Sequence, residues 1–265
     1  MPTALILRTA GTNCDEELAR AFELAGAQAD RRHVDALATD PSPIRDADLI
    51  AFPGGFSYGD DVASGRLLAL RCRERLWPAL REAAARGTPM IGVCNGFQVM
   101  TQAGLLPGPE AGRAWPEDAP EPTVALADNA SARFVDRWVR LRVEPGSSCL
   151  WTRPLVDLPP ERCLLPIAHA EGRFVAPREV LDGLEASGRV ALRYAEPVNG
   201  SARDIAGICD ASGRIFGLMP HPERYTDHTR HPCFTRLGER ERSGDTPGLA
   251  MFRAAVEAVR AGAAV

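Results

Sequence analysis

A chain of 265 residues with a formal net charge of −4 and 45% hydrophobic content can bury a sizeable core, and no global charge excess marks it for nucleic acid or an anionic membrane. All 31 basic residues are arginine, which excludes a lysine Schiff base. Seven cysteines, an odd number without a C-x-x-C pair, fit a reducing cytoplasm better than a disulfide framework.

The first residues form an apolar run without the charged region and cleavage site of a signal peptide, and no apolar run approaches the roughly 18 residues of a membrane span. We expect a soluble, cytoplasmic protein folded as one domain over residues 1–265. Residues 3–7 predict a first strand. A loop follows, then a helix with Leu18, Ala21, Phe22, Leu24 and Ala25 on its apolar side, capped by Asn13 or Asp15 and stopped at Gly26. Residues 33–37 predict a second strand, and residues 47–52 a third that ends at Pro53-Gly54-Gly55. This rhythm predicts an α/β fold: an open, mostly parallel, doubly wound sheet flanked by helices.

Residues 64–86 read as one long helix with Leu67, Leu68, Leu70, Leu76 and Leu80 inward and its charges solvated. Residues 89–93 then give a short buried strand and residues 95–103 a helix. The Pro- and Gly-rich stretch 107–122 reads as a surface loop, and residues 134–143 and 163–168 as strands, the latter broken by Pro166. A helix over 178–186 and a strand over 190–194 come next. Two apolar runs, 204–209 and 214–219, flank Asp210-Ala-Ser-Gly213, the signature of a hairpin turn. An amphipathic helix over 246–261 closes the chain.

Between the 89–93 strand and its helix lies Gly92-Val-Cys94-Asn95-Gly96, the thiol version of a nucleophile elbow, in which a tight turn holds a reactive side chain in a strained position. The glycines leave room for the neighbouring strand and helix. The helix turns its positive end toward Cys94, and the Asn95 amide can stabilise an oxyanion. A buried structural cysteine is the competing reading. Gly54 and Gly55, just past a strand end, can present free amides to an anionic atom, although an ordinary turn has the same composition.

A cysteine nucleophile needs a base and a group that orients the base. Of five histidines, His33 reads as structural, and His228 and His231 lack a third ligand for a metal. His221 follows a strand in Met-Pro-His221-Pro-Glu223, where the carboxylate can hold one ring nitrogen while the other faces the thiol. Cys94, His221 and Glu223 together fit amide hydrolysis through a thioester.

These residues resemble the class I, triad-type glutamine amidotransferases, and within them the branch that serves a formylglycinamide ribonucleotide synthetase of purine biosynthesis. The likeness is carried by Pro53-Gly-Gly-Phe-Ser-Tyr-Gly-Asp60, Gly92-Val-Cys-Asn-Gly-Phe-Gln98, Pro166-Ile-Ala-His-Ala-Glu-Gly-Arg-Phe174, Asn199-Gly-Ser-Ala-Arg-Asp-Ile-Ala-Gly207 and Gly217-Leu-Met-Pro-His-Pro-Glu-Arg224. The resemblance implies a flavodoxin-like three-layer fold in which Cys94 attacks the glutamine carboxamide, with His221 and Glu223 completing the triad. It implies oxyanion donors at Gly54, Gly55, Phe56 and Asn95, and Gln98 as a holder of glutamine. His169, Glu171, Asn199 and Gly200 would line the glutamine site or a partner surface, with a scaffold or interface role favoured over chemistry for His169. No cofactor or metal is implied in this chain. ATP and magnesium would belong to a separate synthetase chain, with a small bridging subunit between the two. Stretches 107–122, 150–160 and 227–245 are longer than the compact free-standing form, which leaves the mode of docking open. Two alternatives remain: another triad amidotransferase or a free-standing γ-glutamyl hydrolase, and a non-catalytic binding protein on the same fold. Proteins of the last kind generally lack a His-x-Glu after a late strand.

Overall fold

The computed structural model describes residues 1–239 and 241–262. In chain order its elements are β1 (Thr3–Arg8), α1 (Asp15–Ala25), β2 (Gln28–His33), α2 (Val34–Thr39), α3 (Ser42–Asp46), β3 (Leu49–Phe52), α4 (Arg66–Arg71), α5 (Trp77–Ala85), β4 (Met90–Val93) and α6 (Asn95–Ala103). Next come β5 (Ala125–Ala127), β6 (Val135–Val143), β7 (Leu164–His169), β8 (Arg173–Val175), α7 (Arg178–Ala186), β9 (Val190–Tyr194), β10 (Ile205–Cys209), β11 (Ile215–Leu218) and α8 (Pro247–Arg260).

Nine strands form the main sheet in the order β2-β1-β3-β4-β11-β10-β9-β6-β7. The neighbours from β2 to β11 pair in parallel, and those from β11 to β7 antiparallel. Continuous apolar runs suit the parallel half because its strands are covered on both faces: every residue of β3, β4 and β11 is buried. Helices flank the sheet in two packed groups, α1 with α8 and α4 with α6, giving the expected three-layer α/β arrangement. The registers Phe52 with Gly92 and Val93 with Leu218 bring the carboxyl ends of β3, β4 and β11 level. The loops leaving those three ends therefore meet on one rim.

Three local expectations are corrected. The second strand is residues 28–33, not 33–37: β2 is a polar, largely exposed strand at the sheet margin, so it lacks an apolar alternation. His33 instead caps α2, its Nδ1 accepting the Asp35 amide, while Val34 and Leu37 bury one turn apart. Neither Asn13 nor Asp15 caps α1; Cys14 occupies that position, and Asp15 is the first helical residue, paired with Arg8 and Arg31. The long helix begins at Arg66 and widens into a π turn over Cys72–Leu76 before α5. Pro78 explains the break, since it lacks the N–H that would continue the ladder to the preceding turn.

The 107–122 stretch is a surface loop, but a pinned one. Trp77 Nε1 donates to the Glu117 carbonyl, Arg73 donates to the Ala119 and Pro120 carbonyls, and Trp115 meets Trp77 edge-on at 6.2 Å. In 227–245, where position 240 lies outside the described residues, His228 and His231 pack around Tyr225.

Candidate active site

Cys94 has φ 51° and ψ −107°, a sparsely populated conformation for a residue with a side chain. Its amide donates to the Leu218 carbonyl at 2.8 Å, fixing the elbow to β11. The flanking glycines are obligatory on steric grounds. A Cβ at Gly96 would lie 1.9 Å from the Phe52 carbonyl oxygen, and one at Gly92 would lie 2.3 Å from Met100 Sδ. The sulfur sits at the N-terminus of the nine-residue α6, whose first amides have no partner within the helix. Cys94 is only 6% exposed, and its Sγ faces the Ala168 carbonyl at 3.7 Å.

His221 begins the turn after β11, and its amide donates to the Pro166 carbonyl of β7. Its Nδ1 lies 2.6 Å from Glu223 Oε1, with both side chains buried. In the neutral ring, with the proton on Nδ1, Nε2 is the acceptor for the thiol proton; among the described residues it is buried without a hydrogen-bond partner. Burial opposes a charge on this ring, but the Glu223 carboxylate and then the Cys94 sulfur outweigh it, and His221 is lifted well above the usual imidazole range. Gly54 is the wedge that lets the two functional groups meet. A Cβ there would fall 2.8 Å from His221 Cε1 and 3.5 Å from Cys94 Cβ.

The neighbouring loop divides the expected oxyanion donors. Gly55, at φ 132°, approaches Asn13 and Gly11 so closely that a Cβ would lie 2.7 Å from the Asn13 amide. Thr12 and Gly55 form a bridge, and the Phe56 amide donates to the Gly11 carbonyl at 2.9 Å. Phe56 N–H, expected as a free donor, is therefore engaged. Gln98, expected to hold ligand, is buried and bonded on both sides: Nε2 donates to the Glu171 carbonyl at 2.5 Å, and Oε1 accepts from Asn95 Nδ2.

Sequence reasoning missed the centre of this network, Asp60. It accepts from Asn95 Nδ2, Ser64 Oγ and the Gly65 amide, while Ser64 N–H also donates to Glu171 Oε2. Burial, above all, raises the Asp60 carboxyl above its ordinary range. Its place at the end of the Pro53–Asp60 motif is the signal the sequence carries for it.

His169 is buried, with Nδ1 against Asn129 Oδ1 at 3.1 Å. Burial, and then the charge on nearby His221, lowers its pKa to about 4, so it is neutral. Asn199 donates to the Gly172 carbonyl and Gly200 packs on Ala130, so both brace this wall rather than the thiol. His228 and His231 are each hydrogen-bonded to backbone, to the Gly244 carbonyl and the Cys233 amide. No helix among the described residues is long and apolar enough to cross a membrane.

With an elbow thiol, a histidine–carboxylate pair and a glycine loop brought to one rim, residues 1–259 match the CobB/CobQ-like glutamine amidotransferase domain. The chain belongs to this glutamine amidotransferase family. It is 41% identical over 263 residues to the phosphoribosylformylglycinamidine synthase subunit PurQ of Dehalococcoides mccartyi, covering 97% of each chain. It is 41% identical over 258 residues to the subunit of the same name from Mycobacterium tuberculosis, covering 95% of each. The structure of PurLQS from Thermotoga maritima contains a chain that is 33% identical with a TM-score of 0.71, the match covering 97% of this chain and 98% of that one.

Proposed function

We propose that this chain, as one domain, is the glutaminase component of phosphoribosylformylglycinamidine synthase. It hydrolyses glutamine to glutamate and ammonia through a γ-glutamyl thioester on Cys94. His221 takes the thiol proton, and the thiolate adds to the carboxamide carbon. The resulting oxyanion lies against the Asn95 and Gly55 amides, with Phe56 joining only if it releases the Gly11 carbonyl. Collapse expels ammonia with a proton from His221. Water, deprotonated by the same imidazole, then cleaves the thioester and restores the thiol. Glu223 keeps the ring oriented and balances its positive charge throughout. A general base contributes about 10²–10⁴-fold and an oxyanion donor about 10²–10³-fold, enough for an effective amidase.

The ammonia passes to a synthetase subunit in the cytoplasm, which uses ATP and magnesium to convert formylglycinamide ribonucleotide to formylglycinamidine ribonucleotide, with a small bridging subunit between the two. Gln98 and Glu171 hold the glutamine pocket by bracing its walls. The observation that carries this reading is the convergence of Cys94 and His221 around Gly54, with Nδ1 held 2.6 Å from Glu223. Ammonia release is measured with and without the synthetase, ATP, magnesium and formylglycinamide ribonucleotide. We expect strong release only in the complete mixture. Equal turnover by the isolated chain would instead identify a free-standing hydrolase.

A further inference from the structure

The sulfur of Cys14 lies at the same imidazole, and no step above uses it. Cys14 ends the loop after β1 and is 1% exposed. Its thiol donates to Asn13 Oδ1 at 3.2 Å, and its sulfur accepts from Arg224 Nη2 at 3.1 Å. Cys14 Sγ, a ring nitrogen of His221 and a carboxylate oxygen of Glu223 all lie within 4.8 Å of one another. The Cβ that Gly54 lacks would touch His221 Cε1 at 2.8 Å and Cys14 Sγ at 3.2 Å, so sulfur and ring flank one small gap.

A single hydrogen bond from Nδ1 to Glu223 leaves the ring free to tilt about that bond. Something must block the tilt if Nε2 is to stay aimed at Cys94. Among the described residues, nothing hydrogen-bonds Nε2 to do so. The residue that packs at the ring's edge is a large, polarizable sulfur, itself fixed from two sides.

We propose that Cys14 is a positioning residue for His221: its sulfur, oriented by Arg224 and Asn13, buttresses the imidazole. This rests on the glutaminase reading above. The charged and titratable groups around the ring are Glu223 and Arg224 from its own turn, Cys94 from the elbow, Cys14 from the loop before α1, and His169 from β7. Of these, Glu223 and the two sulfurs favour the imidazolium, while His169 is neutral and the Arg224 guanidinium is turned onto Cys14. Loss of the Cys14 sulfur therefore lowers the pH at which His221 gives up its proton.

The test uses the full chain labelled with ¹³C at histidine Cε1, as wild type, Cys14→Ser and Cys14→Ala, titrated by NMR without substrate. The other four histidine signals report the fold. We expect the His221 midpoint to move to lower pH by about half a unit or more in Cys14→Ala, and by less in Cys14→Ser. In the complex with its synthetase, kcat for glutamine falls about tenfold in Cys14→Ala with KM little changed, and Cys14→Ser recovers part of it. Folded variants with unmoved His221 midpoints and unchanged kcat would overturn the proposal. So would loss of the other histidine signals in both variants, which would make Cys14 a packing residue. Glutamine hydrolysis that survives Cys94→Ala would sink the thioester reading instead, while the substrate-free titration still decides the role of Cys14.

Discussion

The two halves of the sheet contribute differently to the site. In the parallel half, each proposed group of the site lies within about three residues of a strand's carboxyl end: Gly54 and Gly55 after β3, Cys94 after β4 and His221 after β11. In the antiparallel half, the Ala168–Gly172 segment at the end of β7 supplies a wall, and it is joined to the rest through pairs distant in sequence. Gln98 reaches the Glu171 carbonyl, Ser64 reaches the Glu171 carboxylate and Asn199 reaches Gly172. Chemistry here is set by short local motifs on adjacent strand ends, whereas enclosure depends on long-range hydrogen bonds. The parallel half should therefore be intolerant of single changes, and the wall should lose function in increments.

Gly96→Ala breaks the comparison at its most rigid point. With a Cβ 1.9 Å from the Phe52 oxygen, either α6 or β3 must move, at a cost of about 3 kcal/mol or more. Denaturant melts check this, and wild-type stability would contradict it. Glu223→Gln leaves the ring in place but removes its countercharge, so kcat should fall about 10²-fold or more with KM little changed. Steady-state ammonia release reads the split.

Gln98→Ala tests the wall. It leaves the Glu171 carbonyl and Asn95 without their buried partner, and should lower stability by about 1–2 kcal/mol. Activity should fall mainly through KM. A loss confined to kcat would place Gln98 at the reacting atoms instead.

The smallest effect is the pH response of His169. Its pKa of about 4 lies below the 6.5 of the unfolded chain, so between those values the unfolded state binds a proton that the folded state refuses. Stability therefore falls as pH drops through this window. From pH 7 to 6 this group removes about 0.7 kcal/mol. His169→Asn should abolish that component in melts at the two pH values, and an identical pH slope in both proteins would contradict it.

The same division explains what the sequence reveals. Gly92-x-Cys94-x-Gly96 is legible because sterics allow no other residues at its ends, and His221-Pro-Glu223 because the pair lies within two positions. The hairpin at Asp210–Gly213 is legible for a similar reason: the Asp210 carboxylate accepts the Ser212, Arg214 and Ile215 amides. By contrast, β2 faces water and carries no apolar pattern, and the His33 cap depends on one local bond. Asp60 and Gln98 are read only once α6, the 57–65 loop and the wall are assembled. The engagement of the Phe56 amide is equally invisible, because it depends on Gly11, a residue before α1.

The most direct test is to quench the chain, in complex with its synthetase and turning over glutamine, and to map acyl adducts by peptide mass spectrometry. A single γ-glutamyl group on the peptide carrying Cys94, absent from Cys94→Ala, is the expected result. An adduct on any other side chain, or undiminished ammonia release by Cys94→Ala, would contradict the account.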